Sequence, residues 1–296
     1  MPRTAASLRT DPAARLAELE RQRPEWQAWL HLLQEAEREA ADPRWSAPVD
    51  QIEAALPPSS DAPLLHGRTL RLDANRAQQL MACLTAAASG MDEATSLREY
   101  QPPVHEAVKL IRASVRQDED EIAIVATARG LTAGALASVS HLAALPILRS
   151  SGRALQDRIP QHWPHGYCPI CAAWPIFAER RGLDRSRRLR CGRCAAAWEV
   201  EWLYCIYCGE RNHERLASLE PDGRGEMLRV ETCSTCKGYL KSISTLQGFP
   251  AFELLLQDLE TVELDLVALD RGYGRPEESG FSLDVRIADR NSGAVW

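Results

Sequence analysis

Apolar residues recur at helical spacing through most of the first 160 positions and again near the end, with short alternating runs between. The stretch from Asp11 to Glu39 reads as helix, divided by Pro24, because proline removes an amide and clashes with the preceding turn. Pro43, Pro48, Pro57, Pro58 and Pro63 predict an extended connection over 42–64 around a short helix at Val49 to Leu56. Asp73 to Ala88 reads as the next helix, with Gly90 as its left-handed cap. Pro103 opens another, on which Val104, Val108, Ile111 and Val115 share a side. Ile122 to Leu145 gives a further helix, with Gly130 and Gly134 as points of interruption. Phe252, Leu255, Leu259, Val262, Leu266 and Leu269 repeat at three and four, an apolar stripe on one helix that closes at Gly272 and packs onto the rest of the protein. Phe281, Leu283, Val285 and Ile287 alternate at period two, which fits a short strand or a mobile tail.

The middle of the chain carries the chemistry. Four Cys-x-x-Cys pairs occur there: Cys168/Cys171, Cys191/Cys194, Cys205/Cys208 and Cys233/Cys236. Two residues between thiolates let one tight turn aim both sulfurs at a single ion, and two such turns complete a tetrahedral shell suited to zinc or a single iron. The stretch also reads as a duplication. Tyr167-Cys-Pro-Ile-Cys171 and Leu189-Arg-Cys-Gly-Arg-Cys194 lead into the alternating Trp198-Glu-Val-Glu-Trp202. Tyr204-Cys-Ile-Tyr-Cys208 and Thr232-Cys-Ser-Thr-Cys236 lead into Gly238-Tyr-Leu-Lys-Ser-Ile243. Each spacer, Arg181 to Asp184 and Pro221 to Gly225, has turn chemistry between short runs that can pair as a hairpin.

The repeat pairs 168/171 with 191/194 and 205/208 with 233/236; an interleaved cross-brace is the alternative. Shells made of four protein sulfurs leave no vacancy for an activated water, which argues against hydrolytic metal catalysis. Ligand spacing is the same for iron and zinc.

At 296 residues with 45% hydrophobic content, the chain suits a soluble protein of more than one domain. Its formal charge of −6 argues against nucleic acid or an anionic membrane as a whole-molecule partner. The start reaches Asp11 and Glu18 without an apolar core segment, so no signal peptide is expected. The apolar region Leu131 to Leu148 contains Ser138, Ser140, His141 and Pro146 and is too short and polar for a bilayer span. Thiols kept available for metal point to a reducing cytoplasm.

Arg180, Arg181, Arg185, Arg187, Arg188, Arg190 and Arg193 crowd the first spacer. They read as a solvated hairpin, or as a positive patch for an acidic partner. The second option defines an alternative function: a zinc-ribbon nucleic-acid-binding protein using the Arg-rich hairpin. A dithiol redox enzyme is a third and needs one metal-free pair. Of Trp163, Trp174, Trp198 and Trp202, at least half are expected to pack over the ribbons, an exposed recognition surface being the other reading. His165 and His213 lie near the knuckles but are not needed as ligands, and Cys83 reads as a buried small hydrophobe.

Cys168-Pro-Ile-Cys-Ala-Ala-Trp-Pro175, Leu189 to Cys194, Tyr204 to Gly209, Glu231 to Cys236 and Tyr239-Leu-Lys241, with the Asp258 to Leu269 helix and Gly272-Tyr273, resemble the FdhE family of formate dehydrogenase accessory proteins. The resemblance is sharp over about 163–274 and weaker over the N-terminal helices. It implies a cytoplasmic assembly factor, not a catalyst, that binds the formate dehydrogenase catalytic subunit before export or membrane assembly. It further implies rubredoxin-type metal, iron in two mononuclear sites with zinc as the alternative, held by Cys168, Cys171, Cys191, Cys194, Cys205, Cys208, Cys233 and Cys236. Where the family usually has Gly after the first and last knuckles, this chain has Ala172 and Lys237. If those turns require positive φ, each substitution costs about 1 kcal/mol.

The resulting expectation is an α+β protein. Residues 1–160 form an N-terminal all-helical domain, 161–203 a first rubredoxin-like or zinc-ribbon-like tetracysteine metal module and 204–246 a second. Residues 247–296 form a C-terminal helix and tail packing on the ribbons.

Overall fold

The computed structural model describes residues 11–46, 61–88, 97, 99–221 and 227–296. The helix expected at Val49 to Leu56, the Gly90 cap and most of the Pro221–Gly225 turn lie outside them. Among the described residues six α-helices build the N-terminal half: α1 (Pro12–Gln22), α2 (Gln27–Ala40), α3 (Ala74–Ala87), α4 (Val104–Arg116), α5 (Glu119–Arg129) and α6 (Ala133–Leu155). Their starts are chemically marked. The carboxylates of Asp11, Asp73 and Asp118 accept from the amides of Ala13, Arg76 and Glu121, satisfying donors that the helix itself leaves unpaired. Gly130, at φ 66°, ends α5 in the left-handed conformation, so the interruption expected there is a true break.

The central helix α6 runs ten residues beyond the expected end at Leu145, straight through Pro146. Proline inside a helix costs about 3 kcal/mol, but every residue from Leu142 to Gly152 is buried. Burying Leu145, Ile147 and Leu148 contributes roughly 1.5–3 kcal/mol each, so packing against α2, α3, α4 and α5 overrides the local penalty.

Among the described residues one strand interrupts this helical half. β1 (Arg68–Leu72) pairs in parallel with β8 (Val285–Asp289), register Leu70 to Ile287. The tail from Phe281 is therefore a strand that returns to the N-terminal half.

The ribbons form one six-stranded sheet. Its strands are β2 (Phe177–Arg181), β3 (Ser186–Arg190), β4 (Ala197–Glu199), β5 (Leu216–Leu219), β6 (Leu228–Cys233) and β7 (Tyr239–Thr245), in the order β4-β3-β2-β7-β6-β5. Each copy is an antiparallel meander, and β2 joins β7 in parallel, with Phe177 opposite Lys241. Reading the sheet as β5-β6-β7 then β2-β3-β4 shows the two copies repeated in the same sense. Ala178, Leu189 and Trp198 of the first copy belong to the same apolar core as the N-terminal helices.

The C-terminal stripe is two helices, α7 (Ala251–Glu260) and α8 (Val262–Asp270). The hydroxyl of Thr261 donates to the carbonyls of Gln257 (2.7 Å) and Asp258 (3.2 Å), occupying the acceptors a continuous helix needs. α7 packs on α1, where buried Arg15 meets Glu260 at 2.9 Å, and α8 packs on β6 and β7. Leu266 and Leu269 are 60% and 55% exposed, so the last part of the stripe faces outward.

Candidate metal centres

All four Cys-x-x-Cys pairs sit on the same turn. The amide of the first cysteine donates to the carbonyl five residues on: Cys168 to Ala173 (2.8 Å), Cys191 to Ala196 (3.0 Å), Cys205 to Glu210 (2.9 Å) and Cys233 to Gly238 (2.9 Å). The residue after the second cysteine has positive φ each time: Ala172 65°, Ala195 66°, Gly209 76° and Lys237 58°. Only the second copy's first knuckle uses the residue suited to that conformation, so three turns carry about 1 kcal/mol of strain each. Ala195 escaped the sequence reading, although its place after Cys194 marked it. Backbone amides also reach sulfur: Ile170 to Cys168 Sγ (3.4 Å), Cys194 to Cys191 Sγ (3.4 Å) and Gly238 to Cys236 Sγ (3.3 Å).

These turns bring Cys168, Cys171, Cys191 and Cys194 into one group and Cys205, Cys208, Cys233 and Cys236 into another, with the sulfurs of each group within 4.8 Å of one another. Sulfurs 168–194 and 171–191 lie 3.5 Å apart in the first group, and 205–236 and 208–233 lie 3.6 and 3.8 Å apart in the second. A tetrahedron with metal–sulfur bonds of about 2.3 Å has edges of about 3.8 Å, whereas a disulfide would need about 2.05 Å. Both groups could therefore hold a metal ion, and neither is a pair of disulfides.

Charge leads to the same fit. Burial pushes the Cys168 and Cys194 thiols far up. Cys191 is buried too, yet the bonds it accepts from Cys168, Cys171 and Cys194 bring it well down. In the second group burial pushes Cys205 up and Cys236 to about 11, while Cys233, at the position matching Cys191, is lowered by the Cys236 and Thr235 amides despite burial. In both cages burial opposes thiolate charge, which a bound divalent cation would offset.

The two cages differ in surroundings. The four sulfur residues of the first are at most 1% exposed; in the second, Cys208 and Cys236 are exposed. The helical half closes the first. A Cβ on Gly152 in α6 would collide with the Cys194 carbonyl, and the Leu64 and Leu65 amides donate to Pro169 (2.7 Å) and Ile170 (3.1 Å) between the cysteines. Arg193 donates to the Ser114 carbonyl from inside the second knuckle. Gly166 packs so tightly on Ile206 that the first knuckle of one cage abuts the first knuckle of the other. Aromatic rings fill the seam: Tyr167 lies 6.1 Å from Trp174, and Trp174 lies 5.1 Å from Tyr207.

Trp163 and Trp198 are buried, Trp174 half-buried and Trp202 45% exposed. His165 stacks on Tyr167 (4.8 Å), and His213 is exposed in a short helical turn. Two expectations need correction. Cys83 is exposed, because the apolar face of α3 passes through Leu80, Met81 and Leu84 instead. The arginine hairpin is only partly solvated: Arg185 is exposed, but Arg180, Arg187 and Arg190 are at most 5% exposed. Arg190 and Arg181 both bond Glu179, itself fully buried, and Arg187 donates to Glu231 (2.6 Å) and to the Glu201 (2.8 Å) and Tyr204 (3.1 Å) carbonyls. Also unforeseen was Lys241, fully buried between Asp258 and Asp265 at 2.6 Å each, which pins α7 and α8 to β7.

A helical half that shares its core with a doubled ribbon sheet bearing two tetracysteine cages defines the architecture. Residues 203–281 match the family model described as FdhE, C-terminal domain. Similar sequences named Protein FdhE homolog come from Stutzerimonas stutzeri (37% identical over 111 residues, 36% of this chain and 35% of the relative) and Pseudomonas aeruginosa (34% over 114 residues, 36% and 37%). A third, from Haemophilus influenzae strain PittEE, is 28% identical over 127 residues, covering 41% of this chain and 40% of the relative. These matches span little more than a third of the relatives' length. The crystal structure of the FdhE protein from Pseudomonas aeruginosa shares the fold, with TM-score 0.56 and 21% identity over 90% of this chain and 93% of that one. The chain is similar to FdhE proteins in its C-terminal domain and in its fold.

Proposed function

We propose that this protein is a cytoplasmic accessory factor for formate dehydrogenase, binding the immature catalytic subunit and supporting its maturation. The observation that carries this reading is the pair of sulfur cages, built on four identical turns, the second of them within the region that matches the FdhE C-terminal domain. In this proposal Cys168, Cys171, Cys191 and Cys194 hold one ion, and Cys205, Cys208, Cys233 and Cys236 hold the other. Both ions are iron. Four-thiolate iron supplies one-electron chemistry, whereas zinc in the same cages would act only as a brace. The closed sulfur shells favour an accessory role over hydrolytic catalysis. Among the described residues no helix is long and apolar enough to cross a membrane.

The nucleic-acid alternative loses its footing, since the buried, ion-paired hairpin arginines are not available to phosphate. Purified catalytic subunit provides the test. It should bind the protein and mature in its presence, and Cys233→Ala/Cys236→Ala should impair maturation. Unimpaired binding and maturation with that variant would remove the second cage from the function.

A further inference from the structure

The two cages are held together by different means. In the first, all four cysteines are buried and the helical half supports both knuckles, through the Leu64 and Leu65 amides at one and the Arg193–Ser114 bond at the other. In the second, the knuckles are tied to each other. Glu210 stands where the first copy has Ala173, and Thr235 where it has Arg193. One Glu210 oxygen accepts from the Arg211 (3.0 Å) and Asn212 (2.9 Å) amides, and the other accepts from the Thr235 hydroxyl (2.7 Å). The Ser234 amide adds a bond to the Arg215 carbonyl (2.9 Å). These bonds join the loop after one knuckle to the interior of the next, so the second cage keeps its shape without cover.

Its exposure is one-sided. Cys205 and Cys233, the first cysteines of their knuckles, are buried, whereas Cys208 and Cys236, the second cysteines, are exposed. Gly209, Ser234, Thr235 and Lys237, next to them in the chain, are exposed as well. Lys237 is the unexpected member of this edge. It takes a φ of 58° at the position that Gly209 fills after the other knuckle of the same cage, a conformation that strains a side-chain-bearing residue. Its ammonium makes no ion pair among the described residues and lies 5.7 Å from the centre of the Tyr273 ring. An exposed ring contact of that length is a small return for a strained backbone, and an outlier of this kind points to function.

From the open edge, the tied knuckles and the strained lysine we infer that the second cage is an exchange port, passing its ion to an acceptor that offers cysteine thiolates, while the first cage keeps its own. Soft sulfur donors hold zinc or iron tightly, so an acceptor must offer sulfur in return. The arriving thiolate reaches the ion across the Cys208–Cys236 edge. One metal–sulfur bond forms for each that breaks, no electrons change hands, and the proton given up by the arriving thiol ends on the departing cysteine. Four thiolates around a divalent ion leave excess negative charge, which repels a further thiolate; the Lys237 ammonium beside Cys236 offsets that repulsion. The first cage, closed on every side, offers no such approach. The inference holds for either metal and does not depend on which client the protein serves.

The probe is dithiothreitol in excess over zinc-loaded protein, with retained zinc measured after desalting at intervals. One ion per chain should leave at a rate that rises in proportion to dithiothreitol, and the other should stay at least tenfold longer. Cys233→Ser/Cys236→Ser should lack the dithiol-dependent phase. Lys237→Gly and Lys237→Gln should each slow that phase at least threefold, and Lys237→Arg should restore it. Lys237→Gly should also raise the melting temperature, since glycine takes that φ without strain; slower exchange in a more stable protein is not what a bracing role for Lys237 would give. A release rate independent of dithiothreitol, or equal loss from both cages, would overturn the port. Parental rates in both Lys237→Gly and Lys237→Gln would overturn the part assigned to Lys237.

Discussion

Two glycines in α6 should respond in opposite directions to the same substitution. Alanine is favoured over glycine inside a helix by about 1 kcal/mol, so local propensity alone predicts that both Gly134→Ala and Gly152→Ala stabilise. Nothing lies within 4 Å of a Cβ at Gly134, so that change should raise stability, by up to about 1 kcal/mol. At Gly152 the new methyl would collide with the Cys194 carbonyl, a backbone atom of the first sulfur cage held by its own turn. Neither the buried helix nor the knuckle can yield cheaply, and overpacking of this kind typically costs 1–3 kcal/mol. Offsetting that by the propensity gain leaves Gly152→Ala destabilised by up to about 2 kcal/mol, as much as a roughly thirtyfold rise in the unfolded fraction. Urea unfolding of metal-loaded protein measures both variants, and chelator challenge measures how fast the first cage releases its ion, which should quicken in Gly152→Ala only. If Gly152→Ala matches or exceeds the parent in stability with unchanged metal release, α6 does not brace the first cage.

Ala195→Gly should relieve the positive-φ strain and stabilise by about 0.5–1 kcal/mol, while Ala195→Val should cost at least about 1 kcal/mol, both read by denaturant unfolding. Lys241→Met should cost about 3–5 kcal/mol, since it leaves Asp258 and Asp265 facing each other with only Arg275 between them; a loss under 1 kcal/mol would show that Lys241 does not anchor α7 and α8. Metal affinity should rise with pH. Burial holds the ion-free Cys236 at about 11 and Cys205 higher still, so binding displaces protons and acidification reverses it. The second cage, with Cys208 and Cys236 exposed, should empty before the first as pH falls or chelator is added, checked by metal analysis of single-cage variants.

The knuckles were legible because their determinants are local: ligand spacing, the left-handed position and the hairpins all fall within a few residues. The pairing of knuckles followed from the repeat. Long-range features were less accessible. Arg68-Thr-Leu-Arg-Leu72 alternates as a strand should, but its partner is the tail strand at the other end of the chain. The arginine-rich spacer looked solvated because its counter-charges, Glu179 beside it and Glu231 in the other copy, meet it only in the folded sheet. The division of the C-terminal stripe turned on one side chain, Thr261, whose hydroxyl competes for helix acceptors. The asymmetry of the cages depends on what each copy packs against, which two nearly parallel sequences do not disclose.

X-ray absorption on anaerobically purified protein, combined with metal quantitation, tests the central claim most directly. Two ions per chain, each with four sulfurs at about 2.3 Å and no metal–metal scattering, is the expected result. One ion should be lost in Cys191→Ser/Cys194→Ser and the other in Cys233→Ser/Cys236→Ser. Nitrogen or oxygen in the first shell, a metal–metal vector, or loss of both ions from either variant would contradict two separate tetrathiolate centres.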